Sequence, residues 1–202
     1  MAHRVVLASG NSGKLRELRA VLQPLGLELV AQSTFGLETP PETGATFREN
    51  ALIKARHAAE ATGLPALSDD SGLEVDALGG RPGVYSARYA GEGASDRQNL
   101  LKMLDELRGV PAEERGARYR CVIAFVRSGR DPEPIVAEGA WEGCIIEQPR
   151  GNGGFGYDPI FLPTGSLVTS AELAPERKND VSHRGQALRQ LVRALREAMA
   201  CW

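Results

Sequence analysis

Two periodicities organise the chain. Residues 4–8, with the short apolar run Val5 to Ala8, predict a buried β-strand, and Ser9-Gly-Asn-Ser-Gly13 reads as the turn after it. Residues 14–25 then switch to helical spacing, with Leu15, Leu18, Val21, Leu22 and Leu25 on one face and Gly26 as the stop. A second short strand is predicted over 27–31. After a loop rich in Pro, Glu and Thr (37–44), Thr46 and Glu49 have the spacing of a capping box. The helix it opens carries Ala51, Leu52, Ala55, Ala58 and Ala59 on one face and Asn50, Lys54 and His57 on another, and ends at Gly63.

Downstream, a second capping box, Ser95 to Gln98, introduces a helix with Leu100, Leu101, Leu104 and Leu107. Alternation over 119–126, 135–141 and 144–147 predicts an antiparallel meander. The glycine-rich stretch 151–159 runs into Ile160-Phe-Leu162, and Ser182 caps a last helix with Ala187, Leu188, Leu191, Val192, Leu195 and Met199. No internal repeat or linker interrupts the pattern, which predicts one mixed α/β domain with an antiparallel component.

One segment does not fit a packing pattern. A run of Leu64, Ala66 and Leu67 leads into Asp69 and Asp70, then Ser71, Gly72 and a second alternation of Leu73, Val75 and Ala77. Adjacent acids pack poorly, because like charges repel and desolvation is costly. In an extended segment they point to opposite sides, so one of them can face a metal ion or a water. Asp, Ser and Gly equally suit a solvated turn.

Composition narrows the setting. At 202 residues and a formal charge of -2, the chain can bury a substantial core and has no general attraction for polyanions. Three cysteines without a C-x-x-C spacing suggest a reducing compartment. No apolar run near the start is long enough for a signal peptide or a membrane span, and a cytoplasmic protein is expected. Only four of the 24 basic residues are Lys: Lys14, Lys54, Lys102 and Lys178. In a chain whose default cation is Arg, a Lys inside a motif suggests a need for a compact ammonium.

Four constellations could carry chemistry. Ser9-Gly-Asn-Ser-Gly-Lys14 is a strand-turn-helix junction whose backbone N–H groups suit phosphate. It lacks the P-loop spacing and is also compatible with an ordinary βα turn. Glu42, Asp69 and Asp70 offer oxygen ligands of the kind Mg²⁺ uses together with substrate phosphates. Phe155 and Tyr157, flanked by Gly153, Gly154 and Gly156, form a candidate stacking platform, and the Asp158-Pro159 step predicts an extended Asp158. Lys178, His183 and Arg184 gather before and at the start of the last helix, where cations oppose the dipole. No Ser-His-Asp, Cys-His or zinc-ligand arrangement is evident. The parts are those of a Mg²⁺-dependent nucleotide hydrolase.

Their order along the chain closely resembles the inosine triphosphate pyrophosphatase family, the XTP/dITP diphosphatases. The resemblance rests on Ser9-Gly-Asn-Ser-Gly-Lys14, Glu49-Asn-Ala-Leu-Ile-Lys54, Ser68-Asp-Asp-Ser-Gly-Leu73 and Leu78-Gly-Gly-Arg-Pro-Gly-Val-Tyr-Ser-Ala-Arg88. Gly154-Phe-Gly-Tyr-Asp-Pro-Ile-Phe161 and Ser182-His-Arg-Gly-Gln-Ala187 continue it. Ser9 stands where relatives often carry Thr.

The resemblance implies an α/β fold of two lobes around an elongated mixed β-sheet flanked by helices, spanning 1–202 as one domain, with the active site in the cleft between lobes. It implies a homodimer, Mg²⁺, and hydrolysis of dITP, ITP and XTP to the monophosphate and pyrophosphate, which keeps these nucleotides out of DNA and RNA. It places Ser9, Gly10, Asn11, Ser12, Gly13 and Lys14 on the triphosphate, Asp70 as proton acceptor and metal ligand, and Glu42 on the metal. Ser71 and Lys178 would contact substrate. Phe155, Gly156, Tyr157, Asp158, His183 and Arg184 would hold the base. Two other readings fit parts of the pattern: a diphosphatase of different base preference, and a nucleotide-binding module without catalysis. A nucleic-acid binder is disfavoured by charge balance and by clustered rather than striped basic residues.

Overall fold

The computed structural model describes residues 3–9, 18–19 and 21–199. Six strands form one mixed sheet: β1 (His3–Leu7), β2 (Leu27–Ala31), β3 (Ala66–Val75), β4 (Gly116–Val126), β5 (Ile135–Ile145) and β6 (Phe161–Pro163), in the order β2-β1-β3-β4-β5-β6. β1 runs parallel to both β2 and β3, and β5 pairs antiparallel with β6. Four helices are used below: α1 (Phe47–Thr62), α2 (Asp96–Glu106), α3 (Pro175–Val181) and α4 (His183–Met199). Of the helix expected over 14–25, residues 14–17 lie outside the described residues; Leu18, Arg19, Val21 and Leu22 are helical.

The chain divides into two compact units, one of Met1–Asp70, Val122–Glu138 and Ala187–Trp202, the other of Ser71–Cys121 and Gly139–Gln186. In the first, Val5, Val6 and Leu7 of β1, Leu67 of β3 and Ile123 to Val126 of β4 are buried with the alanine stripe of α1 and Leu191 and Leu195 of α4. In the second, Leu73, Met103, Tyr119, Trp141, Tyr157, Ile160 and Phe161 build a core rich in aromatic residues.

Both capping boxes are present. Thr46 Oγ1 accepts from Glu49 N at 3.1 Å while Glu49 Oε2 accepts from Thr46 N, and Ser95 and Gln98 repeat the exchange at α2. α1 stops at Gly63, whose φ of 68° is the left-handed geometry a side chain resists.

Of the two readings of Asp69-Asp70-Ser71-Gly72, the extended one holds: β3 runs unbroken through the segment for 10 residues, seven of the first eight buried. Two expectations change. The two strands expected at 135–141 and 144–147 are one strand, β5. Asp158 is not extended; it opens a 3₁₀ turn with Pro159, a geometry that a residue before proline seldom adopts and that the bonds described below hold in place.

Candidate active site

The alanine face of α1 decides where Lys54 points. Small side chains let the helix lie close on β3, and Ser68 Oγ donates to the Ala51 carbonyl. Ser68 and Asp70 share one side of the strand, and Ala51 and Lys54 are neighbours on the helix surface. One step further along both elements, the Lys54 ammonium reaches Asp70 Oδ1 at 2.9 Å and Glu42 Oε1 at 2.8 Å. The loop carrying Glu42 is held against α1 by Gly44 N, which donates to Asn50 Oδ1 at 2.8 Å; a Cβ at Gly44 would lie 2.6 Å from Glu49 Cβ, so the approach needs glycine.

Lys54 and Asp70 are buried, at 6% and 8% exposure. Burial pushes the Asp70 carboxyl above its ordinary value; Lys54 draws it back, and the Glu42 charge adds to the rise. Burial also works against the Lys54 ammonium, but Asp70 and Glu42 outweigh it and its pKa is raised. The pair is therefore a retained cation beside a carboxylate of enhanced basicity. Asp70 Oδ2 is buried and has no hydrogen-bond partner among the described residues. A buried acceptor in that condition fits a cation or a water.

Two carboxylates from separate segments, one with an unused oxygen, suit Mg²⁺, which takes one or two protein carboxylates and completes its shell with water and phosphate. Among the described residues no group of three or more His, Cys, Asp or Glu forms a metal cage. Asp69, also buried, projects to the opposite face of β3. The parallel register sets Leu7 beside Leu67, so half-buried Ser9 follows β1 near Asp69 and Asp70 in the middle of its neighbour. Gly10, Asn11, Ser12, Gly13 and Lys14 lie outside the described residues.

The second unit holds a different cluster, built around the buried Asp158 carboxylate. Its Oδ1 accepts from Ser170 Oγ at 2.8 Å and from Tyr119 Oη at 3.3 Å. Its Oδ2 accepts from Phe155 N at 2.8 Å and from the Lys178 ammonium. Asp158 thus spends its acceptors on the protein. It fixes the 155–158 loop and holds Lys178, whose Nζ stands 5.0 Å from the Phe155 ring centroid. Arg184 Cζ stands 5.9 Å from the same centroid. Phe155 is 59% exposed, so an aromatic face flanked by two cations is open to a ligand.

Tyr157 departs from the platform reading. It is 4% exposed and its hydroxyl donates to the Ser86 carbonyl at 2.8 Å, which makes its side chain a support beneath the loop. The accessible aromatic surface of the motif is Phe155. Lys178 departs too: it lies in the last turn of α3, where a cation favours the helix dipole. His183 is buried and Arg184 half-buried at the start of α4, where Ser182 Oγ accepts from Gly185 N. Ser71, on β3, is half-buried.

Sequence reasoning overlooked Tyr119 and Ser170. Tyr119 reads as one more apolar position of a strand. Ser170 follows Thr169, which forms a capping box with Glu172; that spacing was visible, but nothing in it points to Asp158.

Comparison with known proteins agrees with the earlier resemblance. The model of the Ham1 family matches residues 5–194. The dITP/XTP pyrophosphatase of Salmonella paratyphi A is 58% identical over 96% of this chain and 98% of its own length. Among solved structures, a HAM1 protein from Coxiella burnetii is 50% identical with a TM-score of 0.93, covering 96% of this chain and 99% of that one. The Ham1 protein of Staphylococcus aureus is 40% identical with a TM-score of 0.89, with the same coverage.

Proposed function

The chain belongs to the Ham1 family, and from that membership we infer that it is a nucleoside-triphosphate diphosphatase acting on dITP, ITP and XTP. It hydrolyses these deaminated purine nucleotides to the monophosphate and pyrophosphate, which clears them from the nucleotide pool. The observation that carries this is 58% identity, over nearly the whole of both chains, to a relative named dITP/XTP pyrophosphatase.

The two clusters supply a mechanism. Asp70, its basicity raised by burial, orients and deprotonates the water that attacks the α-phosphorus, leaving pyrophosphate to depart. Lys54 holds the Asp70 carboxylate in place and offsets the charge of a triphosphate, about four negative charges. Glu42 and Asp70 would hold Mg²⁺, which when bound neutralises phosphate charge and lets an anionic nucleophile approach. Ser9 and Ser71, with Gly10, Asn11, Ser12, Gly13 and Lys14, would complete the phosphate contacts, as the family resemblance implies.

In the second cluster, Phe155 stacks on the base between Lys178 and Arg184. Arg184 donates to the 6-oxo group of hypoxanthine or xanthine. Adenine's 6-amino group would leave that donor unpaired, at a cost of roughly 1–3 kcal/mol. Guanine shares the 6-oxo group, so its rejection acts at the 2-position. The family resemblance further implies a cytoplasmic homodimer. Among the described residues no helix is long and apolar enough to cross a membrane.

Product analysis tests the reaction type. Phosphorus NMR of dITP treated with the enzyme and Mg²⁺ should show dIMP and pyrophosphate in equal amounts. Inorganic phosphate and dIDP as first products would overturn it.

A further inference from the structure

Tyr119, on β4, touches two parts of the base-side cluster at once. Its hydroxyl reaches Asp158 Oδ1 at 3.3 Å, and its ring lies flat on the His183 imidazole, with centroids 4.8 Å apart and planes within 11°. Phe161 packs edge-on against the same ring at 4.7 Å, so the ring cannot turn without leaving both neighbours. Asp158 holds the backbone of Phe155 and the Lys178 ammonium; His183 precedes Arg184. One buried side chain therefore couples the loop that presents Phe155 to the helix start that presents Arg184.

We propose that Tyr119 is a positioning residue for base recognition, setting the spacing of Phe155 against Arg184 through Asp158 and His183. A phenylalanine would fill the same core volume, so packing does not call for a hydroxyl there. A phenol is buried at a cost unless it is bonded, and this one is spent on a carboxylate that organises the loop. Burial beside Asp158 also pushes the Tyr119 phenol well above its ordinary value, so it remains a donor. The 3.3 Å separation makes the hydroxyl link a long hydrogen bond, with the ring stack as a second contact.

The proposal rests on the dITP/XTP reading, and its test separates the two. Steady-state kinetics on wild type, Tyr119→Phe and Tyr119→Leu, with dITP and dATP and with melting temperatures measured in parallel, form the experiment. Tyr119→Phe should raise KM for dITP by about threefold to tenfold, the size of one modest hydrogen bond, with a smaller change in kcat. Tyr119→Leu, which also loses the stack, should raise KM further and reduce the preference for dITP over dATP. Unchanged KM and preference in both variants overturn the proposal, as does a loss of kcat that merely follows melting temperature, which would make Tyr119 a core residue. A wild type inactive on dITP would instead overturn the reading beneath it.

Discussion

Lys54 on α1 and Asp70 on β3 form a buried ion pair, Nζ to Oδ1 2.9 Å, that Glu42 shares at 2.8 Å. Removing the ammonium leaves two carboxylates without their common counter-charge. Lys54→Met should lower stability by about 3 kcal/mol in urea denaturation with EDTA present, the scale for breaking a buried pair from one side. Unchanged stability would mean that the pair is not maintained in solution.

Asp70→Asn keeps the shape of the side chain and a hydrogen-bonding group near Lys54, but removes the base. Dissociation constants for dITP should stay within a small factor of wild type, while single-turnover hydrolysis should fall by about 10²–10⁴-fold. Rapid hydrolysis by the variant would remove Asp70 from the chemistry.

Gly154 and Gly156 offer a controlled comparison. Both have positive φ, 73° and 62°, but a Cβ at Gly154 would sit 2.0 Å from Asp158 Oδ2, whereas none of the described atoms lies within 4 Å at Gly156. Alanine at either position costs roughly 1 kcal/mol in backbone conformation. Only Gly154→Ala should also displace Asp158, seen as a raised KM for dITP beyond that of Gly156→Ala. Equal KM values in the two variants would contradict the organising role of Asp158.

Arg127 and Asp131 predict a pH response in stability. Arg127's side-chain hydrogen bond, outweighing burial, holds the Asp131 carboxyl down at about 2, below its ordinary 3.8. A lowered folded-state pKa stabilises above the unfolded value and loses that stabilisation as pH falls through the folded one. Wild type should exceed Asp131→Asn in melting temperature at neutral pH, and the difference should shrink as pH drops from about 4 to about 2. A difference independent of pH across that window would contradict the ion pair.

Local signals carried much of the fold. The capping boxes at Thr46 and Ser95, the stop at Gly63 and the alanine stripe of α1 are short-range devices, and each appears in place. Whether the chain stays extended through Asp69 and Asp70 was not decided by the sequence, because acids oppose strand propensity and Lys54, which offsets the burial of Asp70, lies 16 residues away. The same holds at Asp158. Its neighbours in sequence suggest a loop acid facing a ligand, whereas Tyr119 and Lys178, 39 and 20 residues distant, draw it inward. Candidate residue types could be read from the motifs; which of them face ligand and which face protein depended on partners far along the chain.

The central claim is selective hydrolysis of deaminated purine triphosphates. Pyrophosphate release from dITP, ITP, XTP, dATP, dGTP and dUTP, at equal concentrations with Mg²⁺ and again with EDTA, tests it most directly. The first three should be turned over at least tenfold faster than the rest, in keeping with one unpaired polar contact, and EDTA should abolish the reaction. Equal turnover of dGTP and dITP would contradict the account.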